Sequence, residues 1–365
     1  MSNSSWPDWL PIRSNLTGMS AYGAPQLPVA VKLNTNENPF GLEKELVDKI
    51  LTGIKEKSAA LNRYPDRDAN QLRELLANFI NKLSNTKFDE HNIWAANGSN
   101  EIIQSIFLAF GGNGALGFEP SYSVHKIIAQ VTNTPWYVVA RNADFSLNIP
   151  EILAAITKSK PSITFVTTPN NPTGTASSIE ELKQIAVQMK KVGGLLVVDE
   201  AYAEFSSHLS AATLINEFEN VLVIRTMSKA FAFAGVRLGY LVANAQVINA
   251  MMIVRLPYHL SSLTQAAAQV ALENSDLLLG KVAQLRDARD KLITKLEQLG
   301  LTVAPTQANF ILFTGFKNTS SQLWQGLVDK GVLIRDVGLP SYLRVSVGTE
   351  AENDKFISEL TTLIK

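Results

Sequence analysis

Lys229 sits in the run Thr226-Met227-Ser228-Lys229-Ala230-Phe231-Ala232-Phe233-Ala234-Gly235-Val236-Arg237, an unusually apolar setting for a lysine. An ammonium held among alanine and phenylalanine side chains is disfavoured against the neutral amine. Its pKa therefore falls, and a nucleophile able to condense with a carbonyl becomes available. Most lysines are solvated surface residues. Here Ser228 and Arg237 bracket the amine with a hydroxyl and a fixed planar cation, both suited to a phosphate. Upstream, Val197-Val198-Asp199-Glu200-Ala201-Tyr202 reads as a buried strand that ends in adjacent carboxylates. Taken alone, those carboxylates fit a helix cap or a metal ligand, but no histidine or further acidic cluster in the sequence supports a metal.

Two further segments follow apolar runs. Asn97-Gly98-Ser99-Asn100-Glu101 opens an amphipathic helix, where small residues leave backbone N–H groups free for an anion; by itself it would pass as a plain N-cap. Thr168-Pro169-Asn170-Asn171-Pro172-Thr173-Gly174 is a turn by composition, and it projects Asn171 over the strand end. The four segments supply an amine, a carboxylate, a phosphate cradle and an amide. That inventory suits a phosphorylated aromatic aldehyde, with the acid opposite a protonated ring nitrogen and the lysine on the aldehyde.

The elements that must position these groups alternate along the chain. Short apolar runs at 92–96, 115–119, 136–140, 162–167, 194–200, 221–227 and 238–243 are separated by helical patterns. In one of these patterns Ile102, Ile103, Ile106, Phe107 and Phe110 share a face; another, at 179–190, opens on Ser178 and Glu181 at capping-box spacing. This alternation predicts an α/β fold with a mainly parallel sheet buried on both faces, and such sheets bind ligands at the carboxyl ends of their strands. After about residue 257 the pattern changes to a long helical stretch broken at Gly280. Strand-like runs then follow at 301–304, 310–314, 332–335 and 343–347, which predict a smaller α+β domain. The expected division is an arm over residues 1–35, a large domain over 36–258 and a small domain over 259–365.

Composition narrows the partners. Lys+Arg and Asp+Glu each total 33, and this balance argues against a nucleic-acid partner. The absence of cysteine removes disulfides, thiolate metal sites and cysteine nucleophiles. Met1–Gly18 has no basic stretch leading into an apolar run, and no segment approaches the length of a membrane span. The expectation is a soluble cytoplasmic protein with no metal and no membrane partner.

The order and content of these motifs resemble the fold-type-I pyridoxal-phosphate aminotransferases, and among them the histidinol-phosphate aminotransferases. The resemblance runs along nearly the whole chain. It includes Leu33-Asn34-Thr35-Asn36-Glu37-Asn38-Pro39, Arg63-Tyr64-Pro65-Asp66, the Asn-Asn-Pro-Thr-Gly turn, Val-Asp-Glu-Ala-Tyr, Ser-Lys-Ala-Phe, Asn309-Phe310 and Val332-Leu333-Ile334-Arg335. It implies a large domain with a seven-stranded sheet flanked by helices, and pyridoxal 5'-phosphate carried by Lys229. By the same resemblance Asp199 pairs with the pyridinium nitrogen, Tyr202 and Asn171 hold the phenolic oxygen, and Tyr122 stacks on the ring. The phosphate is expected on the Ser99 and Asn100 amides, Thr226, Ser228 and Arg237. Tyr64 would reach it from a neighbouring subunit, which implies a homodimer with shared active sites; the alternative for Tyr64 is a packing role.

For the substrate, the resemblance assigns Arg344 to the carboxylate of glutamate and Arg335 to the substrate phosphate, where a surface ion pair is the ordinary alternative. Tyr22, Asn36 and Glu37 fall in a segment that closes over the substrate. The implied reaction moves an amino group between glutamate and imidazole acetol phosphate. Ala21-Tyr22-Gly23-Ala24-Pro25-Gln26 and Leu256-Pro257-Tyr258-His259 are equally at home in aromatic-amino-acid aminotransferases, so phenylalanine or tyrosine is the alternative substrate class. A decarboxylase of a phosphorylated amino acid and a non-catalytic regulator are further alternatives.

Overall fold

A computed structural model describes residues 6–364. The chain enters through β1 (Val31–Lys32) and then builds its main sheet from β2 (Ile93–Ala96), β3 (Ala115–Glu119), β4 (Trp136–Ala140), β5 (Ile163–Thr167), β6 (Leu195–Asp199), β7 (Val221–Thr226) and β8 (Gly239–Val242). Their order is β2-β8-β7-β6-β5-β3-β4. Pairing is parallel from β4 through β3, β5 and β6 to β7, and antiparallel where β8 meets β7 and β2. This is the mainly parallel seven-stranded sheet expected, with each strand within a residue or so of the apolar run that predicts it.

The runs are continuous rather than alternating because both faces are buried. Along β7, Val221 and Val223 join one core cluster while Leu222 and Ile224 join the other, and β8 divides Tyr240 and Val242 from Leu241 in the same way. Helices cover each face. Ser99–Phe110 lays Ile102, Ile103, Ile106 and Phe107 into the second cluster, with Phe110 at its margin. Ile179–Lys191 covers the first and starts on the capping box, Ser178 Oγ accepting from the Glu181 amide at 3.3 Å while Glu181 Oε2 accepts from the Ser178 amide at 2.7 Å.

The remaining strands are β9 (Thr302–Val303), β10 (Phe310–Thr314), β11 (Val332–Leu333) and β12 (Leu343–Ser346). They form an antiparallel sheet β12-β10-β9 and a parallel pair β1–β11. The helices Ser320–Asp329 and Glu350–Ile364 pack over a third cluster around Ile311, Phe313 and Phe356. Val31 and Leu33 belong to this third cluster, whereas Leu272, Leu278 and Leu285 belong to the first. The helix Val282–Gln298 runs from one to the other, since Leu292 and Leu296 are in the third. Pairing of β1 with β11 draws the segment after Leu33 across the carboxyl edge of the main sheet. Among the described residues, no helix is long and apolar enough to cross a membrane.

Candidate active site

In a parallel sheet every strand ends on one edge, so loops distant in sequence meet there. The loops after β2, β3, β5, β6 and β7 line one cavity of about 490 Å³. Because β8 runs the other way it begins at that edge, and Arg237, two residues before Gly239, is delivered to the same place. The cavity collects Tyr22, Asn36, Ser99, Asn100, Tyr122, Asn171, Asp199, Tyr202, Thr226, Ser228, Lys229, Arg237, Arg335 and Arg344.

Lys229 leaves the end of β7 on a tight turn whose next residues, Ala230, Phe231 and Phe233, are fully buried in the first core cluster. Its Nζ donates to the carbonyl of Thr35 at 2.8 Å. Burial of the ammonium, with the cations Arg344 and Arg237 nearby, pulls its pKa from 10.5 down to about 8, against the opposing charge of Glu37.

Asp199 closes β6 and is 3% exposed. One oxygen, Oδ2, lies 3.2 Å from His125 Nε2, and the other accepts from the Ala201 amide at 3.2 Å. His125 is itself buried and stacks on Phe165 at 4.6 Å, so the carboxylate is fixed from behind. Tyr202 turns its hydroxyl towards Asn36 Nδ2 at 3.0 Å and Asn171 Nδ2 at 3.5 Å, and burial raises its pKa. The Tyr122 hydroxyl donates to Asn100 Oδ1 at 3.2 Å, and burial raises that phenol also.

A compact cradle lies beside the amine. The helix Ser99–Phe110 begins at Gly98 with no side-chain cap, so its first amides, Ser99 and Asn100, face the cavity without a competing side-chain acceptor. Thr226 Oγ1 donates to Ser228 Oγ at 3.0 Å, and Arg237 Nη1 reaches Ser228 Oγ at 3.4 Å. Glycines make the approach possible: a Cβ on Gly98, whose φ is +83°, would lie 2.6 Å from Arg237 Nη2, and one on Gly239 would lie 2.5 Å from the Ser99 nitrogen. Backbone donors, hydroxyls and a guanidinium therefore converge, as the binding of an oxyanion requires.

The two C-terminal arginines come from adjacent positions across an antiparallel bridge, exchanging backbone bonds of 2.9 Å. Arg344, 6% exposed, donates to Asn171 Oδ1 at 2.5 Å and to the Asn34 carbonyl at 2.8 Å, and its guanidinium lies over Phe310. Burial lowers its pKa to about 10, with Tyr202 opposing and Arg335 reinforcing. The Arg335 side chain has no hydrogen-bond or ion-pair partner among the described residues and lines the cavity. Tyr22 lines it too and is half exposed. Tyr64 is not brought in: it is 80% exposed and stacks on Tyr258 with centroids 4.5 Å apart, outside the cavity of its own chain.

Some of the contacts that build the site have no signature in the sequence. The partnership of His125 with Asp199 spans 74 residues, and its only local signal is a histidine among the buried positions of the helix Ser123–Val131. The Thr35 carbonyl that holds Lys229 lies within the Leu33–Pro39 run, but a backbone acceptor leaves no residue-type signature. As a whole, the site pairs a depressed amine with a buried carboxylate across a cavity that ends in an anion cradle. This is equipment for condensing with a carbonyl and moving a proton.

Residues 28–360 match the family described as aminotransferase class I and II. A histidinol-phosphate aminotransferase of Mycolicibacterium smegmatis is 51% identical over 352 residues, covering 96% of this chain and 92% of that protein. One of Rhodococcus opacus is 52% identical over 353 residues, with the same coverage of 96% and 92%. Among solved structures, the histidinol-phosphate aminotransferase of Sinorhizobium meliloti in complex with pyridoxal-5'-phosphate shares the fold with a TM-score of 0.83 at 22% identity, covering 100% of this chain and 99% of that one. The chain belongs to the class I and II aminotransferases and, within them, to the histidinol-phosphate aminotransferase family.

Proposed function

We propose that this enzyme moves an amino group between glutamate and imidazole acetol phosphate, yielding histidinol phosphate and 2-oxoglutarate, with pyridoxal 5'-phosphate as cofactor. The observation that carries the reading is the meeting of Lys229, the glycine-lined cradle and two arginines in one cavity. When bound, pyridoxal phosphate supplies a ring that takes up the electron pair left as the substrate carbon loses its proton. Lys229 Nζ would hold the cofactor between turnovers. Its amine would take that proton as a base and return it as an acid, a role helped by a pKa pulled down to about 8 by burial. Asp199 would keep the ring nitrogen protonated, braced by His125.

Tyr202 and Asn171 would hold the phenolic oxygen and Tyr122 the ring face. The Ser99 and Asn100 amides, Thr226, Ser228 and Arg237 would hold the phosphate. Arg344 is assigned to the substrate carboxylate, Arg335 to the substrate phosphate, and Tyr22 and Asn36 to the wall that closes over them. A guanidinium fork accepts either anion, which lets one pocket serve both halves of the exchange. Tyr64, turned outward, would complete the cradle of a second copy of the chain, so the working unit is a homodimer with shared sites. We keep the division into a large domain over 36–258 and a small domain over 259–365; Leu272, Leu278 and Leu285 still pack in the first cluster, and the helix Val282–Gln298 carries the chain on to Leu292 and Leu296 in the third.

Steady-state kinetics with histidinol phosphate and phenylalanine as donors to 2-oxoglutarate test the substrate. Histidinol phosphate is expected to be preferred, and Arg335→Gln to raise its KM by roughly 10–100-fold, as removal of a charged hydrogen-bonding partner does. A wild-type preference for phenylalanine would replace this assignment with an aromatic-amino-acid aminotransferase.

A further inference from the structure

On the face of the sheet away from the cavity lies a buried charge cluster that the reaction does not touch. Successive side chains of a strand point to opposite faces, so Glu200 and Arg225 are turned away from their neighbours Asp199 and Thr226. Arg225 Nη1 lies 2.8 Å from Glu200 Oε2, and Nη2 lies 3.4 Å from Glu204 Oε1, with all three side chains only 3–4% exposed. Tyr240 stands opposite Arg225 in the β7–β8 register. Glu200 is satisfied further by the Ala211 amide and by Ser210 Oγ, each donating at 2.6 Å. Burial pushes the Glu204 carboxyl up despite the draw of Arg225.

A buried ion pair is weak evidence for stability, because desolvation cancels much of the attraction. Here its geometry is informative. Glu200 and Glu204 stand two residues to either side of Tyr202, and Glu200 adjoins Asp199, while Arg225 adjoins Thr226 and precedes Lys229 by four positions. The stretch between the two glutamates is held by little regular structure beyond the single turn Ala203–Phe205. From its outer side Arg286 donates to the carbonyls of Glu204, Phe205 and Ser206 at 2.7, 3.0 and 3.0 Å. Beside the backbone bond from the Glu200 amide to the Ile224 carbonyl at 2.9 Å, Arg225 adds side-chain links from the β7 end, which carries Thr226, Ser228 and Lys229, to Glu200 and Glu204 at the β6 end, which carries Asp199 and Tyr202.

We infer that Arg225 is a positioning residue: clamped on Glu200, it fixes the offset between Asp199–Tyr202 and Thr226–Lys229 across the cavity. The inference rests on the cofactor reading above, because that offset must match one ring held at both ends.

The test compares wild type, Arg225→Lys, Glu200→Gln and, as a control, Phe356→Leu in the small-domain core. Each cofactor-free protein is titrated with pyridoxal 5'-phosphate well below its melting temperature, and kcat and KM are then measured on the loaded enzymes. Arg225→Lys and Glu200→Gln are each expected to weaken cofactor binding about tenfold or more. They should also lower kcat by a similar factor with little change in KM, since a misplacement of about 1 Å costs up to about a hundredfold. Phe356→Leu should lower the melting temperature and leave the cofactor dissociation constant alone. Wild-type affinity and kcat in Arg225→Lys would overturn the inference, as would an equal loss of affinity in the control. Should Arg225→Lys fail to fold, Glu200→Gln decides in the same way. Failure of the wild type to take up cofactor through Lys229 would overturn the proposed function as well, whereas uptake by wild type with unchanged variants overturns the inference alone.

Discussion

Replacing Lys229 by methionine in the cofactor-free protein isolates the cost of keeping an amine in that cavity. Its fall from 10.5 to about 8, caused first by burial and then by Arg344 and Arg237, corresponds to about 3 kcal/mol. The sign follows from proton uptake. Below about pH 8 both folded and unfolded chains carry the proton, and the folded state bears the whole penalty. Between about pH 8 and pH 10.5 the unfolded chain still binds a proton that the folded one has released, so wild-type stability rises with pH across that window and levels off above it. Methionine removes the group from both states. The stability of Lys229→Met relative to wild type should therefore fall by about 3 kcal/mol from below pH 8 to above pH 10.5. Loss of the bond to the Thr35 carbonyl shifts the starting value of this difference without supplying its slope. Denaturant unfolding of both proteins across that range measures it. Parallel curves would refute the claim that the amine is depressed by its surroundings. Borohydride trapping of pyridoxal phosphate on the wild type gives a second reading, with its rate half-maximal near pH 8 rather than 10.5.

Other expectations follow from single contacts. Gly98→Ala places a methyl 2.6 Å from Arg237 Nη2 at a φ of +83°, so cofactor affinity should drop about tenfold or more in equilibrium titration. Glu204 is an acid whose folded pKa is raised, so wild-type stability is eroded as pH climbs past the ordinary 4.5. Glu204→Gln should therefore gain more in melting temperature over wild type at pH 8 than at pH 5. If Tyr64 serves a second copy of the chain, Tyr64→Ala and Lys229→Ala should each be nearly inactive alone. Mixed and re-equilibrated, they should recover about a quarter of wild-type activity, because half the dimers then hold one intact site. No recovery would place Tyr64 in packing instead.

Much of the fold is legible in the chain because its signals are local. Strands buried on both faces read as unbroken apolar runs, and the seven runs from 92–96 to 238–243 became β2 to β8. The Ser178–Glu181 capping box and the apolar stripe of Ser99–Phe110 are patterns over a few residues, settled by backbone geometry alone. The anchoring of the turn that carries Lys229 was legible for the same reason, Ala230, Phe231 and Phe233 beside it being apolar and buried.

By contrast, contacts that join distant segments carry no mark in either segment. The sequence names Asp199 but not the buried His125 behind it, and it names Lys229 but not the Thr35 carbonyl 194 residues away. The resemblance assigns Arg344 to a substrate, whereas the fold also closes it on Asn171, 173 residues earlier, and on the carbonyl of Asn34, which follows the strand that β11 pairs. Arg225 is one more residue in an apolar strand until packing shows which face it takes and what meets it there. Residue type and spacing determined which groups were available and which edge of the sheet would present them. Distance, burial and partnership were decided by tertiary packing, because side-chain electrostatics act over a few ångströms of space and take no account of separation along the chain.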